Sequence, residues 1–243
     1  MKLTQDDNLK LRAALSACKL ANIDLAVITE GKIRGMAESR TAVIFSDIEL
    51  SLEQDVKWGI TRLSELHKRL ELFGDRILIE GELNGDKKVK KISIRGENSN
   101  SKIDFRCTDI ALLDRKYPKS HNEQEAVTIK LKREDVAMMI KGVRTLGADR
   151  VTFQVKRDGH VHIESVDSSN DRFEFDLSTE AEFINEPNGY VSQYDTSNTG
   201  VLLNLLSHLV RDKDEATITM NESGNLGLWI NGFYILAIPC IDI

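Results

Sequence analysis

Apolar residues recur at i, i+3, i+4 and i+7 in four stretches of the chain, the spacing that lays one apolar stripe along an α-helix. The first stretch covers 4–20, with Leu11, Ala14, Leu15 and Cys18 on its stripe. The second covers 55–73, with Val56, Ile60, Leu63, Leu66 and Leu70 inside. The third covers 132–146, with Val136, Ile140 and Val143, and the fourth 196–211, with Leu202, Leu205, Leu206 and Leu209. Thr4, and either Asp195 or Thr196, stand where N-caps belong, and Gly74 and Gly147 where helices stop.

After each helical stretch the period of the pattern changes to two. Hairpins are predicted for 23–29 with 33–38, 76–83 with 89–97, 151–156 with 160–166, and 216–220 with 226–230. The intervening Glu30-Gly31-Lys32, Asn84-Gly85-Asp86, Asp158-Gly159 and Ser223-Gly224-Asn225 supply residues that tolerate positive φ, as tight hairpin turns require. A third strand is predicted each time, at 41–52, 102–112, 172–179 and 233–241. One unit, a helix followed by a three-strand meander, is therefore written four times.

Between the second and third copies the chain turns polar and loses its pattern, at Tyr117-Pro118-Lys119-Ser120-His121-Asn122-Glu123-Gln124-Glu125. The predicted organisation is an N-terminal domain at 1–116, a connector at 117–126 and a C-terminal domain at 127–243. The class is α+β, with two similar domains that each pack two helices on antiparallel sheet. A length of 243 residues suits two such domains, and a 41% hydrophobic content is enough to give each a core.

No apolar run reaches the roughly 18–20 residues that span a bilayer, and the first seven residues contain no apolar signal core. Cys18, Cys107 and Cys240 are far apart with no C-x-x-C pair, which favours reduced thiols in a cytoplasmic protein.

The net charge of −6 argues at first against a nucleic-acid partner. Its distribution reverses the inference. The predicted helices carry Lys10, Arg12, Lys19, Lys57, Arg62, Lys68, Arg69, Lys132, Arg133, Lys141, Arg144 and Arg211, with Lys213 just beyond. Against these stand Asp6, Asp7, Asp55, Glu65, Glu71, Glu134, Asp135 and Asp212, so the helices are net positive within an acidic chain. Asn8, Arg12, Ser16 and Lys19 are spaced 4, 4, 3, as are Arg133, Ala137, Lys141 and Arg144; Asn204, His208 and Arg211 follow at 4, 3. Each set is predicted to lie opposite the apolar stripe. Lysine and arginine favour solvated helix faces in any case, but a bias shared by four helices suits attraction to phosphates without base reading. Lys10, Arg12, Lys19, Arg62, Lys68, Arg69, Arg133, Lys141, Arg144, His208 and Arg211 are the candidate DNA-facing residues.

The order of these elements resembles the DNA sliding clamps, the polymerase processivity factors that include proliferating cell nuclear antigen, its archaeal relatives and the clamps of tailed phages. Met1-Lys2-Leu3-Thr4 entering the first helix, and Phe45-Ser46-Asp47-Ile48-Glu49-Leu50-Ser51-Leu52 leading to the second, look most like the phage branch. Gly35-Met36-Ala37-Glu38-Ser39-Arg40-Thr41-Ala42-Val43, Lys156-Arg157-Asp158-Gly159-His160-Val161 and Tyr234-Ile235-Leu236-Ala237-Ile238-Pro239 resemble segments of the nuclear and archaeal clamps. The connector is shorter and more polar than in nuclear clamps, and Cys240-Ile241-Asp242-Ile243 replaces their acidic tail.

The resemblance implies a head-to-tail homotrimer closed into a ring around duplex DNA, its helices lining the hole, with strands 102–112 and 172–179 pairing across subunits. It implies sequence-independent binding of double-stranded DNA, a DNA polymerase and a clamp loader as partners, and neither cofactor nor catalysis. It also implies a partner-peptide pocket of Met36, Arg40, Thr41, Leu112, Leu113, Tyr117, Leu236, Ala237, Ile238 and Pro239. For Leu112 and Leu236 taken singly, plain core packing is an equal reading.

Two other readings stay open. One is a monomeric or dimeric viral processivity factor of the same fold that holds DNA by charge without a ring. The other is an enzyme built from dispersed acids such as Asp104, Asp109 and Asp114. Against it, the chain has no phosphate-cradling glycine loop, no H-E-x-x-H and no G-x-S-x-G. Ser16-Ala17-Cys18-Lys19 matches S-x-x-K only formally, and His160 and His162 alone do not make a metal site. Trp58 and Trp229 read as packing or interface residues.

Overall fold

The structure is a computed structural model. It describes all residues except 38–41, 53–55, 75, 114–123, 149, 196–202, 204, 209, 211–214, 231–232 and 238–243, and it leaves out the side chains of 47, 48, 195, 230, 236 and 237. The chain divides into two compact units, Met1–His121 with Asn231–Tyr234, and Asn122–Ile230 with Ile235–Ile243.

Unit 1 opens with helix α1 (Gln5–Leu20), capped by Thr4 as the sequence predicts. Asp7 Oδ2 accepts the Thr4 N–H at 2.9 Å and the Thr4 hydroxyl at 2.6 Å, and the Thr4 hydroxyl oxygen accepts the Asp7 N–H at 3.1 Å. This reciprocal box satisfies donors that a helix start leaves open. The buried face holds Leu11, Ala14, Leu15 and Cys18. Strands β1 (Leu25–Thr29), β2 (Lys32–Met36) and β3 (Ala42–Glu49) form the first meander. Its tight turn places Glu30 and Gly31 at positive φ.

The second predicted helix is corrected. Residues Lys57–Thr61 form strand β4, Arg62 turns the chain at φ 60°, and helix α2 runs only over Leu63–Glu71. Trp58, Gly59 and Ile60 are all buried, so β4 shows no alternation, and Val56, Ile60 and Leu63 mimic a helical stripe. Gly59 is specifically required in this strand. A Cβ there would lie 2.5 Å from the Thr108 carbonyl oxygen.

The second meander is β5 (Ile77–Leu83), β6 (Val89–Gly96) and β7 (Lys102–Arg106). β7 ends short of the predicted residue 112 because a 3-10 turn occupies Ile110–Leu113. Asp109 Oδ1 accepts the Ala111 N–H at 3.0 Å, the local turn that aspartate favours. The strand orders in unit 1 are β3-β2-β1-β4 and β5-β6-β7.

Unit 2 contains β8 (Glu125–Lys132), α3 (Arg133–Leu146), β9 (Arg150–Val155), β10 (Val161–Val166), β11 (Arg172–Asp176), β12 (Glu182–Phe183), β13 (Tyr190–Asp195), β14 (Glu215–Asn221) and β15 (Leu226–Ile230). Strand β16 (Phe233–Ala237) is divided between the units. Gly147 ends α3 at φ 64°, as predicted. The α3 core stripe is Val136, Met139 and Val143; the predicted Ile140 is only half-buried. β8 starts at Glu125, inside the expected connector. β11 stops at Asp176 rather than 179, because the Ser178 hydroxyl turns to Asp135 Oδ2 at 2.8 Å.

In the fourth predicted helix Leu203 and 205–208 are helical, and Leu203, Leu205, Leu206 and Val210 are buried; Leu202 and Leu209 lie outside the described residues. The strand orders in unit 2 are β12-β8-β14-β15 and β11-β10-β9-β13.

The strands missing from the sequence pattern explain how two copies make one unit. In unit 1, β4, which precedes α2, pairs with β1, which follows α1. Reciprocally, the residues before α1 pair with β5: Leu3 N–H donates to the Ile79 carbonyl at 3.1 Å, and Gly81 N–H to that of Met1 at 2.8 Å. Unit 2 repeats the exchange, β8 pairing with β14 and β13 with β9. Each copy thus lends its leading strand to the other copy's meander, which covers an edge that would otherwise be open.

Candidate nucleic-acid interface

In unit 1, α1 and α2 lie antiparallel, since Arg12 reaches Leu70 while Ser16 reaches His67. The polar stripe of α1 is therefore not a free surface. Asn8 is buried, donating to the Ile77 carbonyl at 2.8 Å. Arg12 is half-buried and donates to the main-chain carbonyls of Leu70, at 2.7 Å, and Gly74, so its guanidinium caps the end of α2. Lys10 pairs with Asp6 at 2.7 Å and donates to the Glu49 carbonyl at 3.3 Å. Arg62 and Arg69 share Glu65, at 3.2 and 3.4 Å, and both guanidinium carbons stand 5.1 Å from the buried Phe105 ring. Lys19 and Lys68 are exposed and form no ion pair with any described residue.

His67 sits between these helices. Its Nε2 is 3.1 Å from Ser16 Oγ and its Nδ1 is 3.4 Å from Glu71. Burial lowers its pKa; Glu71 opposes that shift and the nearby Lys19 and Arg12 charges add to it. For Asp7 burial alone would raise the pKa, but donors from Ser51 and Thr4 outweigh it and hold the carboxyl below its usual range.

In unit 2, Arg133 donates from Nε to the Val210 carbonyl at 3.0 Å, which parallels the Arg12 contact in unit 1. Lys141 and Arg144 are exposed on α3 and form no ion pair with any described residue. His208 is half-buried, and Arg211 lies outside the described residues. In unit 1 Lys19 and Lys68, and in unit 2 Lys141 and Arg144, are exposed helix cations with no ion pair to a described residue; point charges of this kind suit phosphates and not a particular base.

The residues expected in a peptide pocket are less completely described. Met36 is buried at the end of β2, and Leu113 is buried against Gly59. Leu112 is 80% exposed, so core packing does not account for it. Arg40, Thr41, Tyr117, Ile238 and Pro239 lie outside the described residues, as do the side chains of Leu236 and Ala237.

The dispersed acids have local roles. The Ser93 hydroxyl, 2.7 Å away, is the largest influence lowering the pKa of Asp104. The Ala111 N–H, then Lys88, lowers that of Asp109; Asp114 is outside the described residues. Among the described residues no group of three or more His, Cys, Asp or Glu could hold a metal, and no helix is long and apolar enough to cross a membrane. Burial raises Cys18 to about 12 and Cys107 to about 11. Trp58 is fully buried and donates to Cys107 Sγ at 3.1 Å, while Trp229 is 52% exposed.

No protein-family model and no curated protein sequence matches the chain. Its fold is similar to that of proliferating cellular nuclear antigen from Entamoeba histolytica, with a TM-score of 0.67 over 99% of this chain and 98% of that one, at 12% identity. The chain has the α+β clamp fold of that protein.

Proposed function

We propose that the chain is a sliding clamp: a homotrimeric ring that encircles duplex DNA without reading sequence and tethers a DNA polymerase, after a clamp loader opens it. The observation that carries this reading is the similarity of fold through essentially the whole chain, in both directions of coverage. The exposed Lys19, Lys68, Lys141 and Arg144 support it, because sliding needs attraction to phosphates that no single contact makes tight. In this reading the protein is not an enzyme, and the 80%-exposed Leu112 is a contact for partner peptides. The phage-like segments noted in the sequence make a viral replication protein acting in the host cytoplasm the preferred source.

The test is retention on DNA. With polymerase and loader, a ring stays on covalently closed or end-blocked DNA at salt concentrations where it slides off linear DNA. Equal loss from both overturns encirclement and favours a processivity factor that holds DNA by charge alone. A solution mass of three times 27.4 kDa is expected alongside.

A further inference from the structure

The short turn Ile110–Leu113 holds an apolar side chain out of unit 1 by construction. Before it, Thr108 N–H donates to the Gly59 carbonyl at 3.0 Å, and the Thr61 and Thr108 hydroxyls meet at 2.9 Å. Asp109 accepts the Ala111 N–H on Oδ1 at 3.0 Å and the Leu112 N–H on its main-chain carbonyl at 2.9 Å. Leu113 fills the space over Gly59, where a Cβ would come within 2.8 Å of its Cδ1. With the turn pinned at both ends and Leu113 inside, Leu112 is left in water. Its main chain is already ordered, so a ligand that covers it pays little to fix it.

Cations surround this turn. Side chains alternate along a strand, so Lys57, Gly59 and Thr61 share one side of β4, and that is the side the turn covers. Lys57 is exposed and forms no ion pair with any described residue. Its N–H donates to the Lys87 carbonyl at 3.1 Å, which brings the β5–β6 hairpin alongside. From that hairpin Lys88 reaches Asp109, 3.1 Å away. The exposed Lys90 accepts the Cys107 N–H on its carbonyl at 2.8 Å. Lys57, Lys87, Lys88 and Lys90 thus stand with Asp86 and Asp109, four positive charges against two, in a chain of net −6. Further along the hairpin Lys91 is held between Glu82 and Asp104, each 3.5 Å away.

We propose that this corner selects what docks at Leu112: a partner peptide with acidic residues beside the apolar side chain that covers it. This rests on Leu112 as a partner contact in the reading above, and names the charge of the segment it accepts. Lys88 is fixed by Asp109, which leaves Lys57 and Lys90 to meet carboxylates of the ligand. At physiological salt charges act over about 8 Å, and an extended chain advances about 3.3 Å per residue. A carboxylate one or two residues from the docked apolar group therefore lies within range. Complementary charge of this kind raises the association rate and rejects partners of the wrong sign. A peptide is favoured over a nucleic acid because the cations flank an apolar knob, which a run of phosphates would leave in water.

Selection of random short peptides displayed against the full chain, free of DNA, tests this. Enriched peptides should combine apolar with acidic residues. By fluorescence anisotropy, the Kd of an enriched peptide should rise about tenfold in Lys57→Glu with Lys90→Glu, as like charges at an interface cause. Leu112→Ser should raise it at least as much, and a peptide whose acids are replaced by lysine should bind the charge-reversed variant better than the parent. All three substitutions are at exposed positions, so the variants should unfold as the parent does and the change in Kd reads the surface. Enriched peptides with no acidic excess overturn the proposal, as does an acidic peptide bound equally by parent and charge-reversed variant, or no enrichment at all. A single-stranded oligothymidylate that binds the parent, is lost in the charge-reversed variant and ignores Leu112→Ser also overturns it, making the corner a nucleic-acid contact. None of these results bears on encirclement, which retention on DNA decides; a chain that fails to encircle DNA can still be judged here by its peptide affinities.

Discussion

The α1–α2 pair of unit 1 and helix α3 of unit 2 both carry several cations, yet the structure uses them differently. In unit 1 Arg12 caps α2, Lys10 is held by Asp6, and Arg62 and Arg69 share one glutamate over an aromatic ring. On α3 only Arg133 is committed to a carbonyl, while Lys141 and Arg144 stay exposed. A count of basic residues on helices thus overstates the charge offered to a ligand. Arginine, a planar fork of donors, is recruited to close helix ends, and lysine more often stays in water.

The contrast can be broken most strongly at its anchor. Asp7 is buried and accepts three hydrogen bonds, from Thr4 twice and from Ser51. Asp7→Ala should cost about 3 kcal/mol in urea unfolding, the scale for a buried charged acceptor. Its lowered pKa gives stability that is fully present above the ordinary carboxylate value near 4 and is lost as pH falls through the folded value. Acid unfolding of Asp7→Asn should lack that component.

Arg12→Ala should cost about 2 kcal/mol by leaving the Leu70 and Gly74 carbonyls without their donor. Lys141→Ala or Arg144→Ala should change stability by less than about 0.5 kcal/mol, as surface substitutions do. If Arg12→Ala is equally silent, the division between structural and free cations fails. In duplex binding the order reverses. Lys141→Glu with Arg144→Glu should reduce the slope of log affinity against log salt by about 1 for each cation that meets a phosphate. An unchanged slope would remove α3 from the interface.

The smallest effect is at His67. Its pKa is lowered in the folded state, so the folded protein favours the neutral ring. Stability is therefore lost as pH falls below the ordinary histidine value of about 6.5, until the folded value is passed. Thermal unfolding between pH 7.5 and 5 should show this slope in the parent and a flatter one in His67→Gln.

Features governed by neighbours in sequence were legible without coordinates. The Thr4 cap, the Gly147 stop, the positive-φ glycines at 31, 159 and 224 and the stripe of α1 follow from residues within one or two turns of each other, whereas in α3 Met139 takes the place expected of Ile140 and in the 84–86 turn Lys87 takes the positive φ expected of Gly85. The repetition of helix and meander was legible in the same way. What tertiary structure decided involves partners far away in the chain. The stretch 55–73 reads as one helix until Gly59 meets Thr108 and β1 takes β4 as a neighbour. β8 and β13 likewise escape the pattern, since their assignment depends on the other copy's meander. The fate of Arg12 depends on Leu70 and Gly74, fifty-eight and sixty-two residues on. Local periodicity records which face of an element is apolar, whereas only the folded chain sets which distant carbonyl or carboxylate comes within hydrogen-bond reach of a given charge.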